Sequence, residues 1–444
     1  MDTEKIKSTL DAFLAAGRMN ELRGALMMLN VVDIAAYMDE LEKDKMLKLF
    51  RVLPKDISAD VFAYMSDEQR QKLIESIGDK EASELISDMF VDDAVDFLEE
   101  LPAGLVRRVL AGVDEEQRKV INKFLSYPEG SAGSIMTIEF RELHTGVTAE
   151  DALKYIKQNA LDKETVYTLY ILDATRHLLG TLPLRKLIMA DTDTYVETLM
   201  NTGFISAGTH DKQEDVAELV RKYDLMSIPV VDKENRMVGI ITADDVMDVL
   251  QDEATEDMEK MNALLPSEDE YMKTKPIKLA GNRLPWLLLM MVSSILTETI
   301  IDGFSAHLSI AFTACIPMLM GTGGNCGSQA STLAIRGLAL GEITPGDALR
   351  VFWKEFRVSG IVSVALAILS FIIQLLVFSR TLTESVTIAI AMICTVVLSK
   401  SIGCLLPLLA KKLKLDPALM AAPLITTIVD VCSLLILVMF AAVV

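Results

Sequence analysis

The amino-acid sequence predicts a multidomain membrane protein with a soluble half and a membrane half. The soluble half is expected to hold an α-helical N-terminal solenoid, a tandem pair of α/β modules and an acidic linker helix, and the membrane half an all-α transmembrane domain of five helices. Three observations lead to this fold class: a change in charge near Gly281, a change of apolar period near residue 130, and long apolar runs after residue 281.

Charge separates the two halves of the chain. Of the 43 Lys and Arg and 63 Asp and Glu residues, ten basic and eight acidic ones lie from Gly281 onward, which leaves 33 basic and 55 acidic residues before it. An acidic soluble half argues against nucleic acid as a partner, because phosphates require Lys and Arg, and it leaves cations or basic partners. Cations are the simpler interpretation.

Cysteine usage and the start of the chain indicate a compartment. All five cysteines fall in the apolar half, so the soluble half shows neither a disulfide framework nor zinc-ligand spacing. The chain starts MDTEKIKSTL, without the basic and then apolar start of a cleaved signal peptide. We therefore expect the acidic half to be cytoplasmic.

The predicted domains follow one another along the chain. They are an acidic α-helical domain at 1–130, α/β modules at 131–196 and 197–251, an acidic linker helix at 252–280, and a transmembrane pore domain at 281–444. In the first domain apolar residues recur at three- and four-residue spacing, which predicts helices. Weak self-similarity among DIAAYMDELEKDKMLKLFRVLP, DISADVFAYMSDEQRQKLIESI and DDAVDFLEELPAGLVRRVL, each about two helices long, indicates a short helical solenoid.

After SYPEGSAGS, short β-branched runs alternate with helical patterns. VYTLYILD and GTLPLRKLI accompany a helix predicted from Ala149 to Asn159, and SIPVVD and GIITADDVM accompany one from Lys212 to Tyr223. The two sets align at a constant offset of 64 residues. We therefore predict two similar modules that pack as a pair.

These modules, at about 132 to 251, resemble the cystathionine-β-synthase (CBS) domain pair. The second module carries GIITADD at 239–245, which is similar to the G-h-h-T-x-x-D element of that family. The resemblance implies that Thr242, with Asp244 or Asp245, can hold the ribose of ATP or another adenine nucleotide. The first module has GTLPLRKL and lacks the Asp, which implies at most one good nucleotide site. Alternatively, Thr242 only caps the helix that follows.

The segment VMDVLQDEATEDMEKMNALLPSEDEYMK is strongly acidic and helical in pattern to about Leu264. Several of its carboxylates recur at three- and four-residue spacing and share one helix face. These are Asp245, Asp248, Asp252, Glu256 and Glu259. A run of charge is usually a solvated face, but this one leads directly into the first membrane span. That position favours a role in transmitting a conformational change.

Five apolar runs are predicted to span the membrane. They lie at 284–301, 304–340, 358–378, 385–410 and 418–444. A helix of 21 residues, as in the third run, reaches roughly 31 Å, about the hydrocarbon thickness of a bilayer. Basic residues cluster before the first run, between the second and third, and between the fourth and fifth. The positive-inside rule then places the N-terminal half in the cytoplasm and the C-terminus outside.

Three ionisable residues within the spans are functional candidates, because each is costly in lipid unless it is paired or wetted. They are Glu298, Lys400 and Asp430. Glu298 and Lys400 could form a structural pair. Asp430 has no obvious basic partner and requires water or a cation.

The sequence GTGGNCGSQ at 321–329 interrupts the second span. With Pro317 upstream it favours an irregular backbone, which survives at membrane depth only when it is buried in protein or faces water. Pro423 in the fifth span is expected to free a carbonyl, and Thr426 and Thr427 add hydroxyls. We interpret these groups as a pore lining for a hard cation, with close helix packing through the glycines as the alternative.

GNCGSQ, LDPALMAAPLITTIVD and the order of domains closely resemble the MgtE family of magnesium channels and transporters, over essentially the whole chain. The resemblance implies a homodimer in the lipid bilayer with a pore between the subunits. It implies that Asp430 is the main pore acid, with Asn325 and the backbone of Gly321, Gly323 and Gly324 nearby. Because Mg²⁺ releases its water reluctantly, such a pore would pass a hydrated ion.

The resemblance also implies that cytosolic Mg²⁺ binds the acidic domains and closes the pore by bridging carboxylates that otherwise repel one another. The implied regulatory acids are Asp92, Asp96, Glu214, Asp224, Asp245, Asp248, Glu253, Glu256 and Asp257. Asp416, before the fifth span, could join the linker acids through a shared ion.

Two other functions remain open from the residues alone. One is a carrier of another divalent cation such as Co²⁺, with nucleotide sensing by the CBS pair. The other is a membrane-anchored sensor without transport. An enzyme is not expected, because the sequence has four His residues and neither a catalytic triad nor a Walker motif.

Overall fold

The computed structural model describes residues 3–159, 165–267, 271–272, 274–304, 309–420 and 422–442. The chain divides into two compact units, Met1–Leu250 and Gln251–Val444. Parts of the predicted second and fifth spans, at 305–308, 421 and 443–444, lie outside the described residues.

The first unit begins with ten short helices. They are α1 Thr3–Ala15, α2 Met19–Leu26, α3 Val31–Asp39, α4 Lys43–Phe50, α5 Lys55–Ala63, α6 Asp67–Ser76, α7 Asp79–Asp88, α8 Val91–Glu99, α9 Ala103–Leu110 and α10 Glu115–Phe124. Helix α3 packs on α5, α5 on α7 and α7 on α9, which is the stacking expected of the predicted solenoid. Phe62 lies at the centre of the apolar core, with its ring centroid 6.5 Å from that of Phe50 and 4.9 Å from that of Phe97.

Two α/β modules follow in the same unit. The first comprises β1 Arg141–His144, α11 Ala149–Asn159, β2 Thr168–Leu172, β3 Leu178–Pro183, α12 Leu184–Ile188 and α13 Val196–Leu199. The second comprises β4 Ala207–Gly208, α14 Gln213–Tyr223, β5 Ser227–Val231 and β6 Met237–Thr242. In each sheet the first strand is parallel to the second and the second is antiparallel to the third. The predicted tandem repeat is confirmed; the first of its two main helices has the predicted bounds, and the second begins one residue later than predicted, at Gln213.

The modules pack face to face because each leaves an apolar sheet surface to cover. Isolated bridges pair Thr137 with Ile240 and His177 with Arg236. The hydroxyls of Tyr170 and Ser227 lie 2.7 Å apart in the buried space between the sheets. The hairpin that joins β2 to β3 therefore lies beside the hairpin that joins β5 to β6.

Helix α15, Ala243–Met261, extends the second module, and the boundary between the two units falls within it. Its apolar residues Val246 and Val249 are buried, while carboxylates occupy much of the rest. The helix ends before Ala263, whose φ of +55° is incompatible with further right-handed helix.

The second unit is built from five long helices. They are α16 Pro276–Phe304, α17 Ile310–Ala339, α18 Ala348–Leu376, α19 Leu382–Lys412 and α20 Ala422–Ala441, with short 3-10 helices at Pro345–Asp347 and Pro417–Met420. Within the described residues, four segments are long and apolar enough to cross a membrane: Pro276–Phe304, Pro345–Leu376, Leu382–Lys412 and Pro423–Ala441. Helix α17 is as long as these, but its polar and glycine residues lower its apolarity.

Helix α19 packs against α17, α18 and α20, and α16 packs against α20. The core of this unit holds Phe312, Leu319, Ile388, Val396 and Leu434, each at most 4% exposed. The buried face of α18 is lined instead by small or polar side chains. These are Ser359, Ser363, Ser370 and Gln374. Small residues let helices approach closely where the hydrophobic effect does not drive them together.

Candidate functional site

The GTGGNCGSQ segment forms regular helix within α17, so the prediction of an irregular backbone is wrong. The glycines are required by packing. A Cβ at Gly323 would lie 2.8 Å from methyl carbons of Thr395 and Val429, and one at Gly327 would lie 2.7 Å from Ile425 Cγ2. The helical cost of about 1 kcal/mol per glycine is thus offset by close contact with α19 and α20.

The closest approach joins α17 to α19. A Cβ at Gly403 would overlap the carbonyl oxygen of Gly327, and the Ser399 hydroxyl donates a hydrogen bond to the carbonyl of Gly323. Gly321 differs from these positions, because a Cβ there would meet no atom within 4 Å and the residue is exposed. Close helix packing, the alternative for the glycines, therefore accounts for Gly323 and Gly327 but not for Gly321.

The start of α20 carries the two predicted threonines. Pro423 lies in the first turn of this helix, where proline is tolerated because the N–H it lacks would have no partner within the helix. The hydroxyls of Thr426 and Thr427 donate to the Pro423 carbonyl at 2.9 and 3.0 Å. A Cβ at Gly324 would lie 3.0 Å from Thr426 Cγ2, so the glycine motif and this threonine are in contact.

Asp430 lies one helical turn beyond Thr426 and Thr427 on α20 and is partly buried. Among the residues that the structure describes, no hydrogen bond or ion pair reaches its carboxylate, and none joins it to the exposed Asn325. The Thr427 hydroxyl lies 3.5 Å from that of Ser293 on α16. An acid without a partner in an apolar helix is the feature that marks this region as a candidate ion site.

Lys400 pairs with Glu355 of α18, and the proposed pairing with Glu298 is wrong. The Lys400 ammonium lies 3.7 Å from Glu355 Oε2, and their side chains are 6% and 13% exposed. Glu298 is exposed on α16, which packs on α20, whereas Lys400 lies on α19 against α18. The sequence reasoning missed Glu355 because it began this span at 358, whereas α18 begins ten residues earlier at Ala348.

Asp416 and Glu256 are joined by the ammonium of Lys260, and a metal ion shared between them stays a prediction. Lys260 Nζ lies 2.8 Å from Asp416 Oδ2 and 2.6 Å from Glu256 Oε1. Burial opposes the charge, but hydrogen bonds to Asp416 and Glu256 outweigh it and raise the pKa of Lys260 above its usual value. The lysine therefore stays protonated and ties the end of α15 to the loop before α20.

A second group of acids lies in the first unit, where α8 approaches the start of α15. Burial, followed by repulsion from Asp245 and Asp96, raises the pKa of Asp93 to about 6. Burial also raises the pKa of Asp245, against a hydrogen bond from Thr242, and that of Asp248, with Asp244 adding repulsion. Sequence reasoning chose Asp92 and Asp96 on this helix and missed Asp93.

The remaining predicted acids are distributed over several elements. Glu214 lies in the first turn of α14, Asp224 ends that helix with a φ of +51°, and Glu253 and Asp257 lie on α15. Asp96 lies 3.5 Å from the Arg70 guanidinium. Within the described part of the chain, no group of three or more His, Cys, Asp or Glu side chains is placed to hold a metal ion. The described acids therefore do not form a finished coordination sphere.

The GIITADD element joins β6 to α15. The Thr242 hydroxyl donates to Asp245 Oδ2, and the Thr242 N–H donates to the same oxygen at 3.3 Å. The Asp245 carboxylate thus accepts the Thr242 N–H at the start of α15, which is one half of a capping box, while the Thr242 hydroxyl is occupied as a donor to the same oxygen. Asp244 is exposed at the surface.

Three family profiles match the chain. Residues 29–130 match the MgtE intracellular N domain, 196–252 a CBS domain, and 316–440 the MgtE divalent cation transporter domain. The chain is 33% identical to the magnesium transporter MgtE of Thermus thermophilus, with 98% of this chain and 97% of that protein covered. It is 31% identical to the magnesium transporter MgtE of Bacillus subtilis, with 95% and 94% covered.

Two solved structures are similar to the soluble half. A crystal structure of the soluble part of a magnesium transporter is 30% identical with a TM-score of 0.55, and covers 57% of this chain and 100% of its own. The cytosolic domain of the Mg²⁺ channel MgtE in complex with ATP is 33% identical with a TM-score of 0.52, and covers 55% and 99%. The family consists of transporters rather than enzymes, and the present chain is a multi-pass membrane protein. This chain belongs to the MgtE family of divalent cation transporters.

Proposed function

We propose that this protein is a Mg²⁺-selective channel or transporter that takes up magnesium across the cytoplasmic membrane. The observation that carries the proposal is Asp430, an acid without a partner among the described residues of an apolar helix. Its surroundings supply further oxygens from Thr426, Thr427 and Asn325. The relatives named as magnesium transporters, similar over nearly the full length, support the choice of ion.

The proposed pore domain has five spans, with α17 as the span that lacks full apolarity. Such a helix is tolerated in a membrane when its polar side faces protein or water. Gly321 and Asn325 are exposed in the single chain and would face the pore, while Gly323 and Gly324 act by letting α20 approach α17. In a homodimer two Asp430 carboxylates would face one path and attract a dication.

The orientation follows from charge. Basic residues cluster before the first span, between the second and third, and between the fourth and fifth, and the positive-inside rule supports a cytoplasmic N-terminal half and a C-terminus outside.

We further propose that cytosolic Mg²⁺ closes the pore by binding the acidic face formed by α8 and the start of α15. Two carboxylates 4 Å apart repel by about 4 kcal/mol at an effective dielectric of 20, and an ion between them removes that repulsion. The raised pKa of Asp93 and of Asp245 supports this, because it reports unrelieved repulsion and burial. Glu214 and Asp224 in the first unit, and Glu253 and Asp257 in the second, are proposed as ligands of further regulatory ions, and Asp92 and Asp96 flank Asp93.

ATP or another adenine nucleotide is proposed as a second regulatory ligand, because a similar cytosolic domain binds ATP. Thr242 with Asp244 or Asp245 would contact the ribose. That requires the Thr242 hydroxyl to accept from, or exchange its hydrogen bond with, the nucleotide. A carrier of another divalent cation such as Co²⁺, with nucleotide sensing, is the second candidate function.

Flux in proteoliposomes tests the proposal. Purified protein is reconstituted, and Mg²⁺ entry is followed with an entrapped indicator, with and without millimolar Mg²⁺ on the side of the soluble half. We expect entry that Mg²⁺ on that side suppresses and that Asp430→Asn abolishes, while Glu342→Gln in an exposed loop leaves it unchanged. Entry of Co²⁺ but not Mg²⁺ would favour the second candidate, and no entry of either ion would leave a sensor without transport.

A further inference from the structure

A cavity of about 570 Å³ lies in the first unit, where α10 meets the paired hairpins of the two α/β modules. Its polar lining comprises Lys123, Arg141, Glu142, Tyr155, Arg176, Asp232 and Arg236. Phe124, Phe140 and Met237 supply apolar walls. The size suits a small-molecule ligand, and the mixture of apolar walls with a few charged groups is typical of such sites.

The charges in this cavity do not cancel. Arg176 pairs with Glu142 at 3.2 Å, and Arg236 pairs with Asp232 at 3.3 Å. Those pairs use both acids of the lining. Lys123 and Arg141 then remain as an excess of two positive charges, in a soluble half that carries 55 acidic and 33 basic residues.

Arg141 is the most informative of these residues. It is 6% exposed, and its buried Nε has no hydrogen-bond partner in the described structure. Its guanidinium lies 5.9 Å from the centre of the Tyr155 ring, which orients it by a cation–π contact but satisfies none of its donors. A buried guanidinium N–H without an acceptor is costly, and the planar fork of the group matches an oxyanion such as phosphate.

The cavity is distinct from the GIITADD element. Met237 begins β6 and Thr242 ends it, so five residue steps separate the two, or roughly 16 Å of extended strand. None of the residues of GIITADD lines the cavity. A ligand here would instead contact α10 of the helical segment and both hairpins.

We propose that this cavity binds a phosphate-bearing small molecule, with its phosphate on Arg141 and Lys123 and its body against Phe124, Phe140 and Tyr155. Two unpaired positive charges match the two negative charges of a phosphate monoester. Because Lys123 belongs to α10 and Arg141 to β1, the bound phosphate connects the helical segment to the α/β pair.

Hydrogen exchange of the full-length protein in detergent, followed by mass spectrometry, tests the site. AMP is titrated as the probe, with inorganic phosphate and uncharged adenosine in parallel. We expect AMP to slow exchange near residues 120–124, 173–177 and 232–236, and adenosine to leave these segments unchanged. Inorganic phosphate that slows the same segments supports recognition of the anion itself.

Variants separate this site from the GIITADD element. Arg141→Met and Lys123→Met should each weaken the affinity for AMP, read as the concentration that gives half-maximal protection, on the order of tenfold to a hundredfold. This is the usual loss of affinity when a hydrogen bond to a charged group is removed. Lys119→Met is the matched control, because Lys119 lies one turn away on α10, is 71% exposed and pairs with Glu115 outside the cavity. Thr242→Val should leave these segments protected.

Lys123 is exposed, so its replacement tests the proposal even if the Arg141 variant folds poorly. Three results would overturn the proposal. They are protection confined to the residues around Thr242, equal protection in the Lys123 and Lys119 variants, and no saturable protection by either AMP or phosphate.

Discussion

Replacing Asp93 by Asn should stabilise the soluble unit at neutral and alkaline pH. Burial and the neighbouring Asp245 raise the pKa of Asp93 to about 6, from a usual value of 3.8. The folded protein therefore holds this proton more tightly than the unfolded chain does. Stability supplied by the protonated acid is present at low pH and is lost as pH rises through about 6.

The magnitude follows from that difference in pKa. At 1.36 kcal/mol per pKa unit, ionised Asp93 costs the fold about 2 to 3 kcal/mol at pH 8. The isosteric amide removes the charge, so we expect exchange of the α8 amides at pH 8 to slow by about 30- to 160-fold in Asp93→Asn. The difference in α8 amide exchange rate between variant and wild type should narrow as pH falls through 6 and vanish near pH 4.

Hydrogen exchange of full-length protein at matched pH values measures this gap, because intrinsic exchange rates cancel between variant and wild type. Asp96→Asn is the comparison variant, because Asp96 lies on the same helix, is 75% exposed beside Arg70 and supplies only part of the repulsion on Asp93, so it should stabilise much less than Asp93→Asn. Millimolar Mg²⁺ at pH 8 should protect wild type more than Asp93→Asn. A gap at pH 8 that is absent, or that widens on acidification, would refute the reasoning.

Three further predictions concern the second unit. Gly327→Ala should destabilise the helix packing by about 1 to 3 kcal/mol, seen as a lower melting temperature in detergent, while Gly321→Ala, which meets open space, should melt like wild type; equal melting would contradict the packing role. Lys400→Met and Glu355→Gln should each lower the free energy of unfolding by about 3 to 5 kcal/mol. The double variant should recover much of that loss, because it leaves no buried charge unpaired, and additive losses would argue against the pair. Lys260→Met should speed amide exchange at the end of α15, and Mg²⁺ should reverse this change by replacing the ammonium. If exchange without Mg²⁺ is unchanged, the salt bridges of Lys260 do not hold the end of α15 in place.

Features with a local or repeated signature could be predicted from the sequence. The helix at Ala149–Asn159 and the tandem modules follow from apolar period and a constant offset, and Asp430 was identified as an acid without a basic residue nearby. The raised pKa of Asp93 could not be predicted from the sequence, because it depends on how α8 lies against the start of α15, which brings Asp245 near this acid.

Helix partners in the membrane half were also beyond reach from the sequence. Lys400 was paired with Glu298 on residue type alone, whereas the choice of Glu355 depends on α18 and not α16 lying against α19. The glycine content of GTGGNCGSQ led to the wrong prediction of an irregular backbone for a related reason. Glycine is a poor helix former in isolation, and the contacts that compensate for it come from residues about 70 to 110 positions away, such as Ser399 and Val429.

A continuous α17 changes the expected source of the ion's ligands. In regular helix the carbonyls of the glycine motif are used by N–H groups four residues on, and that of Gly323 also accepts from Ser399. These oxygens have little capacity left for a cation. The hydroxyls of Thr426 and Thr427 donate to Pro423 and keep lone pairs free, as do Asn325 and Asp430. Ligands of this kind, mounted on packed helices, suit contact with the water shell of Mg²⁺ rather than with the bare ion, because they need not replace all six of its waters. The proposed pore therefore selects by the spacing of side-chain oxygens, and the glycines act by setting how near α20 lies to α17.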